Sequence, residues 1–243
     1  MSRRRWLFAG LALYLAALVF QAPAALLSPL LGALSSSRLD IATPSGSLWR
    51  GSAEVLCKIP EATANCGRWY WRLEWRALRQ GRLEIELHQF AENGPLTRLL
   101  LSPGHKEITE LDATLPASAL ALAFPKLAGL KPDGTLLLKG RDLSAKQGVF
   151  LLLWNDASSS LVPSQGLGNH QVQVMLRSGG ADWVVSSPKG EGLRLDGQGS
   201  WTTDKGLTLD VLAESTLPAL SAALANLGKK EGPGRYRLSL QPW

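Results

Sequence analysis

The chain contains few of the residues that build metal centres and disulfide frameworks. Its 243 residues include two cysteines, three histidines and two methionines, and cysteine and histidine do not cluster. This scarcity argues against a structural zinc site and against a scaffold of several disulfides. Charged residues are also sparse, at 19%, beside 45% apolar residues. That balance excludes a disordered chain, and the length is sufficient for a packed core.

The sequence also lacks the motifs of common active sites. It contains no GxSxG, P-loop, GxGxxG or HExxH motif and no spacing typical of metal ligands. His88, His105 and His170 each lie beside polar or turn residues, so we expect all three on the surface. We therefore predict a protein that is not an enzyme and that has no catalytic, cofactor-binding or metal-binding residues.

The positive charge of the chain is concentrated at its N-terminus. Arg3, Arg4 and Arg5 form one run, and no other charged residue precedes Arg38. Without these three arginines, 23 of the 26 basic residues remain, compared with 20 acidic residues, and the net charge falls from +6 to +3. So small an excess is weak support for a nucleic-acid-binding face, and we expect no nucleic-acid partner.

The uncharged stretch after the arginines is typical of a membrane-targeting segment. We predict a cytoplasmic basic tail (1–5), a transmembrane signal-anchor (6–25) and a linker (26–38). Trp6 suits the membrane interface at the start of the span, and Pro23 suits the end of a helix. The alternative is a signal peptide that is cleaved near Ala22-Pro23-Ala24. In both cases the positive-inside rule puts the chain after about residue 38 across the membrane from the cytoplasm.

Export affects the expectation for the two cysteines. Cys57 and Cys66 have eight residues between them, and in an oxidising compartment such a pair is expected to form a disulfide. The chain-entropy estimate for closing this loop is about 2.7 kcal/mol. The alternative is two buried, unpaired thiols.

From Leu39 onward the residue pattern favours β-strands. In the clearest example, Trp69, Trp71, Leu73 and Trp75 alternate with Tyr70, Arg72, Glu74 and Arg76, which predicts a strand with one apolar face. Leu83 to His88 alternates in the same way and predicts an antiparallel neighbour. We expect the apolar face of the tryptophan strand to be core, or else to line a groove or a partner surface. Further strands are predicted at Thr135 to Gly140, Gly148 to Trp154, Gln171 to Arg177, Asp182 to Ser187, Leu193 to Trp201, Leu207 to Ala213 and Arg235 to Leu240.

Two short helical segments resemble each other. Ala113-Thr114-Leu115-Pro116-Ala117 recurs as Ser215-Thr216-Leu217-Pro218-Ala219, and each copy is followed by a strand that begins with glycine. The proline suits a first helical turn, the threonine can cap it, and Gly228 suits the C′ position after the second helix. We therefore predict a β-rich domain (39–243) with two modules (39–133 and 134–243), each a curved antiparallel sheet with a short covering helix. The alternative is two unrelated helices.

The order of several short motifs resembles a known family. The uncharged N-terminal segment is followed by Gly46-Ser47-Leu48-Trp49-Arg50-Gly51, then by Leu73-Glu74-Trp75, and then by Leu115-Pro116 and Asp133-Gly134-Thr135-Leu136. In this order, and over nearly its whole length, the chain resembles the protein N family of the type II secretion system. It departs from the family at Arg76-Ala77-Leu78, where a turn with proline is expected.

The resemblance implies a single-pass protein of the bacterial inner membrane, with a cytoplasmic N-terminus and a periplasmic β domain. It implies a non-enzymatic accessory subunit of the machinery that exports folded proteins, with other subunits of that machinery as partners. An exposed edge of an open sheet is the expected contact. The architecture is also similar to AsmA-type envelope proteins, which have an apolar groove. The alternative function is therefore a periplasmic module that binds or transfers lipids or other hydrophobic molecules.

Overall fold

The described part of the chain forms one antiparallel sheet of fourteen strands. The computed structural model describes residues 3–59, 62–103, 105–123, 125–162, 165–189, 192–204 and 206–240. The strands lie in chain order, except that the last strand is inserted between the twelfth and the thirteenth. They are β1 Leu39–Gly46, β2 Arg50–Ile59, β3 Ala62–Glu74, β4 Leu83–Gln89, β5 Leu96–Ser102, β6 His105–Pro116, β7 Pro132–Ser144, β8 Gln147–Ser159, β9 Gly168–Arg177, β10 Gly180–Lys189, β11 Arg194–Thr202, β12 Gly206–Glu214, β13 Lys229–Gly232 and β14 Arg235–Leu240. The mainly-β prediction is confirmed.

The helices are short, and most of them lie between strands. They are α1 Arg3–Phe20, α2 Leu27–Leu34, α3 Trp75–Leu78, α4 Leu120–Ala123 and α5 Pro218–Leu227, with 3₁₀ turns at Ala24–Leu26, Ala117–Ala119 and Pro125–Leu130. Because the strands alternate in direction, the connections fall at two ends of the sheet. The β6–β7 and β12–β13 helical connections share one end, which we call the covered end. The turns β1–β2, β3–β4 and β7–β8 lie at the other, which we call the hairpin end.

The N-terminal segment differs in detail from the predicted anchor. Its helix, α1, ends at Phe20 and not at residue 25, and the expected linker (26–38) contains α2. Arg3, Arg4, Arg5 and Trp6 form the first turn of α1, and their side chains lie outside the described part of the structure. Within the described ranges, no helix combines the length and the apolar character that a membrane crossing requires.

The largest core lies at the covered end, on the face of the sheet that the helices cover. Leu136, Trp154, Ala213, Leu220 and Leu224 are buried together there. These residues come from three strands and from α5, so the helix covers an apolar sheet face that would otherwise be in water. We call this side of the sheet the inner face.

The two predicted modules are not separate in the structure. The expected boundary at 133/134 falls inside β7, which pairs with β6 on one side and β8 on the other. The helical segments lie at the same end of the sheet, and both contribute to its main core. The repeat therefore describes two similar connections within one sheet.

Two details of the predicted helix ends were wrong. No side chain caps the segments after Pro116 and Leu217, and near α5 it is Ser215 that accepts a hydrogen bond from the Leu217 N–H, at 3.2 Å. Gly228 has an extended backbone and not a left-handed one. Glycine is still needed there, because a Cβ atom would lie 2.5 Å from the carbonyl oxygen of Arg237.

A buried glutamine links strands that are not neighbours. Gln89, at the end of β4, is 0% exposed. Its amide nitrogen donates to the carbonyl oxygens of Cys66 on β3 and Thr114 on β6, and its oxygen accepts from the Thr114 N–H at 2.6 Å. Strands β3 and β6 are separated by β4 and β5 in the sheet order. The sheet must therefore curve sharply here, and Gln89 satisfies the backbone groups that the curvature leaves unpaired.

We predict that Gln89→Leu destabilises the fold by about 2 kcal/mol or more, because each buried polar group left without a partner costs about 1–3 kcal/mol. Chemical denaturation of the full chain in detergent measures this effect. The control is Gln173→Leu, which changes an exposed glutamine on β9 and should alter stability by no more than about 0.5 kcal/mol. Equal stability of the two variants would contradict the structural role of Gln89.

Candidate functional site

The Gly46–Gly51 motif forms a compact turn at the hairpin end, between β1 and β2. The side-chain oxygen of Ser47 accepts hydrogen bonds from the N–H groups of Trp49 and Arg50, at 3.3 and 3.2 Å. Gly46 has a φ of +87°, a conformation that glycine adopts without strain. A Cβ atom on Gly51 would lie 2.5 Å from the indole of Trp71. The motif therefore combines a tight turn with the space for a large ring.

The turn binds the C-terminal end of α1. The indole N–H of Trp49 donates to the carbonyl oxygen of Val19 at 2.9 Å, and the Leu48 N–H donates to the carbonyl oxygen of Ala22 at 2.8 Å. The Phe20 ring stacks on Trp75 at 5.3 Å, and Trp75 in turn lies 4.6 Å from the Trp49 ring. We call Phe20, Trp49 and Trp75 the aromatic cluster.

Trp75 does not share the face predicted for it. The strand β3 ends at Glu74, and Trp75 is the first residue of α3. Its side chain is 40% exposed and contacts the end of α1 instead of the inner face. The alternation of residues 69 to 75 is compatible with a strand throughout. Phe20, however, lies 55 residues earlier and provides a stacking partner that no local pattern includes.

Trp69, Trp71 and Leu73 do share one face, since alternate residues of β3 point to the same side. Trp71 is 9% exposed and lies in a small core with Ala24 and Ala53, against which Leu27 and Leu73 pack. Its indole N–H donates to the carbonyl oxygens of Ser47 and Leu48, both at 3.2 Å. Trp69 is half-buried and donates to the Cys66 carbonyl at 3.1 Å. Trp71 is thus part of a filled core, not the wall of an open groove.

The two cysteines are joined at the covered end of the β2–β3 hairpin. Cys57 on β2 and Cys66 on β3 form a disulfide with their Cα atoms 6.1 Å apart, and both are buried. Ala119, next to the first helical connection, is buried in the same cluster. The bond fits the pairing expected for an exported chain, and it joins the β2–β3 hairpin to the covering segment.

The last strands of the sheet, β14 and β13, form an edge that is incompletely paired. The strand β13 pairs only with Arg235, Tyr236 and Arg237 of β14. Beyond them, residues 238–240 pair with β12 on one side, and no described strand pairs with them on the other. An open groove of about 730 Å³ crosses the face of the sheet from β9 to β12 and reaches β14, where Arg237 and Ser239 line part of it.

The opposite edge of the sheet is less accessible to another strand. The pairing of β1 with β2 shifts between Ala42 and Ser45, and Thr43 between them has a φ of +48°. The helix α2 also contacts β1, where the Ser28 hydroxyl donates to Asp40 at 3.3 Å. An irregular, partly covered edge is a poor template for strand addition. We therefore consider the described part of β14 the better candidate for binding another strand.

One of the three histidines expected on the surface is buried. His170 is 3% exposed, and its Nδ1 atom lies 2.7 Å from the hydroxyl oxygen of Ser187, while Nε2 has no hydrogen-bond partner. Burial lowers the pKa of His170 to about 4, although the carbonyl of Leu167 partly opposes the shift. His88 is half-buried, and the side chain of His105 lies outside the described part of the structure.

The Ser187 hydroxyl, which contacts His170, is also bound to the backbone of the neighbouring strand β11. The Ser187 hydroxyl accepts from the Leu195 N–H at 2.7 Å and donates to the Leu195 carbonyl at 3.1 Å, so it is held by the backbone. Neither side chain lines the groove described above. In the described part of the chain, no group of acidic, histidine or cysteine residues is arranged to hold a metal ion.

Sequence reasoning did not identify Gln89, the burial of His170 or the open edge of β14. Nothing in the sequence near the two buried polar residues differs from an ordinary strand. The edge depends on the insertion of β14 between β12 and β13, which the simple order of predicted hairpins did not include.

Comparison with known proteins identifies the family. The model of the family "Type II secretion system (T2SS), protein N" matches residues 37–239, and the chain therefore belongs to this family. No curated protein and no solved structure matches the chain.

We predict that Trp71→Ala destabilises the fold by about 3–5 kcal/mol, as expected for removing a buried aromatic ring. Trp75→Ala should cost less, about 1–2 kcal/mol, because it loses mainly two ring contacts. Denaturation of the full chain in detergent compares them, and the exposed Trp201→Ala is the control, with an expected change within about 0.5 kcal/mol. A larger loss from Trp75→Ala than from Trp71→Ala would contradict the assignment of the core.

We predict that His170 makes stability depend on pH. Because its folded pKa, about 4, lies below its ordinary value of 6.5, the unfolded chain binds the proton more tightly. The stability that neutral His170 contributes is therefore fully present above about pH 6.5. As the pH falls toward 4, the free energy of unfolding decreases by about 2–3 kcal/mol. Melting temperatures at pH 7 and 4.5 should differ less in His170→Gln than in the wild type, whereas the control His88→Gln should retain the wild-type difference. An unchanged difference in His170→Gln would show that this histidine is not responsible.

Proposed function

We propose that this member of the type II secretion protein N family is a non-enzymatic accessory subunit, anchored in the inner membrane by α1, whose β domain contacts other secretion subunits from the periplasm. Membership in the family supports a role in type II secretion, a location in the bacterial envelope and a non-catalytic function. The contacts and the anchor are our additions to that family-level role.

The exposure of α1 supports an anchor. An isolated helix with apolar residues on all sides is unfavourable in water and is favoured in a lipid environment. The described apolar side chains of α1 are each more than half exposed, namely Phe8, Leu11, Leu13, Tyr14, Leu15, Leu18, Val19 and Phe20. The helix is held to the domain at its last turn, through Val19 and Phe20. The preceding turns are therefore available to lipid.

The open edge of β14 is the observation that supports a protein partner. Unpaired backbone N–H and C=O groups at a sheet edge bind an added strand through main-chain hydrogen bonds. Arg237 and Ser239 of β14 also line the open groove on the face of the sheet, where Arg237 is paired with Asp210 at 3.6 Å and with Glu231 at 2.9 Å. A strand of another secretion subunit is the partner we propose for this edge.

We predict that a photo-reactive benzoylphenylalanine at Ser239 crosslinks the full chain to a subunit of the secretion machinery in cells that express the whole system. Ser239 is exposed and lies on the open part of β14. The matched control is Ala145, an exposed residue in the β7–β8 turn, which should give no such product. Mass spectrometry identifies the products. The proposed edge contact would be contradicted if neither position gave a crosslink to a secretion subunit. It would also be contradicted if both positions gave such crosslinks in equal yield.

A further inference from the structure

The turn from β3 to β4 has an excess of positive charge. Residues 72–82 contain Arg72, Arg76, Arg79 and Arg82 and a single acidic residue, Glu74. All four arginines are exposed. Within the described part of the chain, none of them forms an ion pair. We call Arg76, Arg79 and Arg82, which follow Trp75, the arginine turn.

In the described structure, the nearby acidic side chains form no ion pair with this turn. On the neighbouring strand, Glu84 and Glu86 are held by Arg98 of β5, at 3.2 and 2.8 Å. The hydrogen bond that Arg98 donates to Glu86 also raises the pKa of Arg98. The two acids of β4 thus share one arginine within the sheet, and in the described structure no ion pair joins them or Glu74 to the arginine turn.

The fold brings this turn to the end of α1. Trp75, immediately before Arg76, stacks on Phe20, the last residue of the apolar helix. Trp49 contacts both rings and donates to the backbone of Val19. Tryptophan rings are enriched at the level of lipid headgroups, so the aromatic cluster has the composition expected where a helix leaves a membrane.

We propose that the arginine turn binds anionic phospholipid headgroups at the periplasmic surface of the inner membrane, with Trp75 at the interface beside it. The guanidinium group matches the geometry of a phosphate and binds it through two parallel hydrogen bonds. This inference rests on the proposed anchoring by α1, which brings Phe20 to the membrane surface. The headgroup contact then fixes the orientation of the sheet relative to the bilayer.

The position of the arginines in the chain agrees with the required topology. Basic residues close to a span in sequence favour its cytoplasmic side, but only within about 15–20 residues of its end. The arginine turn follows Phe20 by more than fifty residues. It therefore does not oppose insertion, and folding brings it to the membrane only after the domain has been exported.

The test uses the full chain, reconstituted in vesicles of phosphatidylcholine alone or of phosphatidylcholine mixed with phosphatidylglycerol. Benzoylphenylalanine replaces Gln80, an exposed residue between Arg79 and Arg82. Mass spectrometry after illumination measures the yield of phospholipid adducts. We expect a several-fold higher yield in the vesicles with phosphatidylglycerol, and a decrease of that yield at high salt, because exposed charges are screened.

A pair of charge-matched variants identifies the groups responsible. Arg76→Gln/Arg79→Gln/Arg82→Gln should lower the adduct yield to that in phosphatidylcholine alone. The control, Lys139→Gln/Arg141→Gln/Arg194→Gln, removes the same charge from exposed residues of other strands and should retain the wild-type yield. The variant Arg76→Lys/Arg79→Lys/Arg82→Lys keeps the charge and should retain much of the adduct yield. It therefore distinguishes a loss of charge from a loss of yield caused by misfolding.

Three results would overturn the inference. They are an adduct yield that is independent of phosphatidylglycerol, a yield that the three arginine changes leave unaltered, and a crosslink from position 80 to protein in place of lipid. Carbonate extraction of the same vesicles separates this failure from failure of the anchor. A chain that resists extraction but forms no lipid adduct contradicts only the headgroup site, whereas a chain that is extracted contradicts both the anchor and the site.

Discussion

An open antiparallel sheet has an apolar face that must be shielded from water and two edges that must be shielded from unwanted strands. The rest of this structure depends on that constraint. The inner face of this sheet is covered at one end by the connections that follow β6 and β12, and near its first strands by α2 and the turn before it. Hydrophobic burial is the main favourable contribution to folding, so these covering segments determine which part of the apolar face stabilises the fold. The disulfide and Gln89 act at the same end, where the sheet curves and its backbone hydrogen bonds are interrupted.

The hairpin end shows how one short motif serves both stability and location. The Gly46–Gly51 turn accepts the indole N–H of Trp71 from the core and directs the indole of Trp49 toward the end of α1. The same six residues thus connect the buried core of the first strands to the exposed aromatic cluster. Because the ring of Trp71 lies over Gly51, a larger residue at that position would disturb the core and the docking of the helix together.

The sequence predicted the regular strands well and the exceptions poorly, for physical reasons. Predicted runs such as Arg235 to Leu240 and Leu207 to Ala213 lie within β14 and β12, because alternating residues with glycine at the turns are a local signal. Trp75 fits the same alternation, yet its position is decided by contact with Phe20, which is distant in the chain. The burial of Gln89 and of His170 likewise depends on partners in other strands. Neither residue has a local pattern that distinguishes it from a solvated strand residue, so no sequence pattern could have located these parts of the structure.

The sheet also separates the two surfaces for which we propose functions. Strands in a sheet are spaced by about 4.8 Å, and twelve such intervals separate β1 from β14, which gives about 58 Å measured along the sheet. The aromatic cluster and the arginine turn belong to the first four strands, whereas the open edge belongs to the last. If the first strands are held at the bilayer, the continuous hydrogen-bonded sheet limits how much the distance to the open edge can vary. A short interdomain linker would leave that distance variable, whereas a sheet in which every strand pairs with its neighbours limits its variation. For the two contacts that we propose, a single continuous sheet would therefore keep a more constant separation than two independently packed modules.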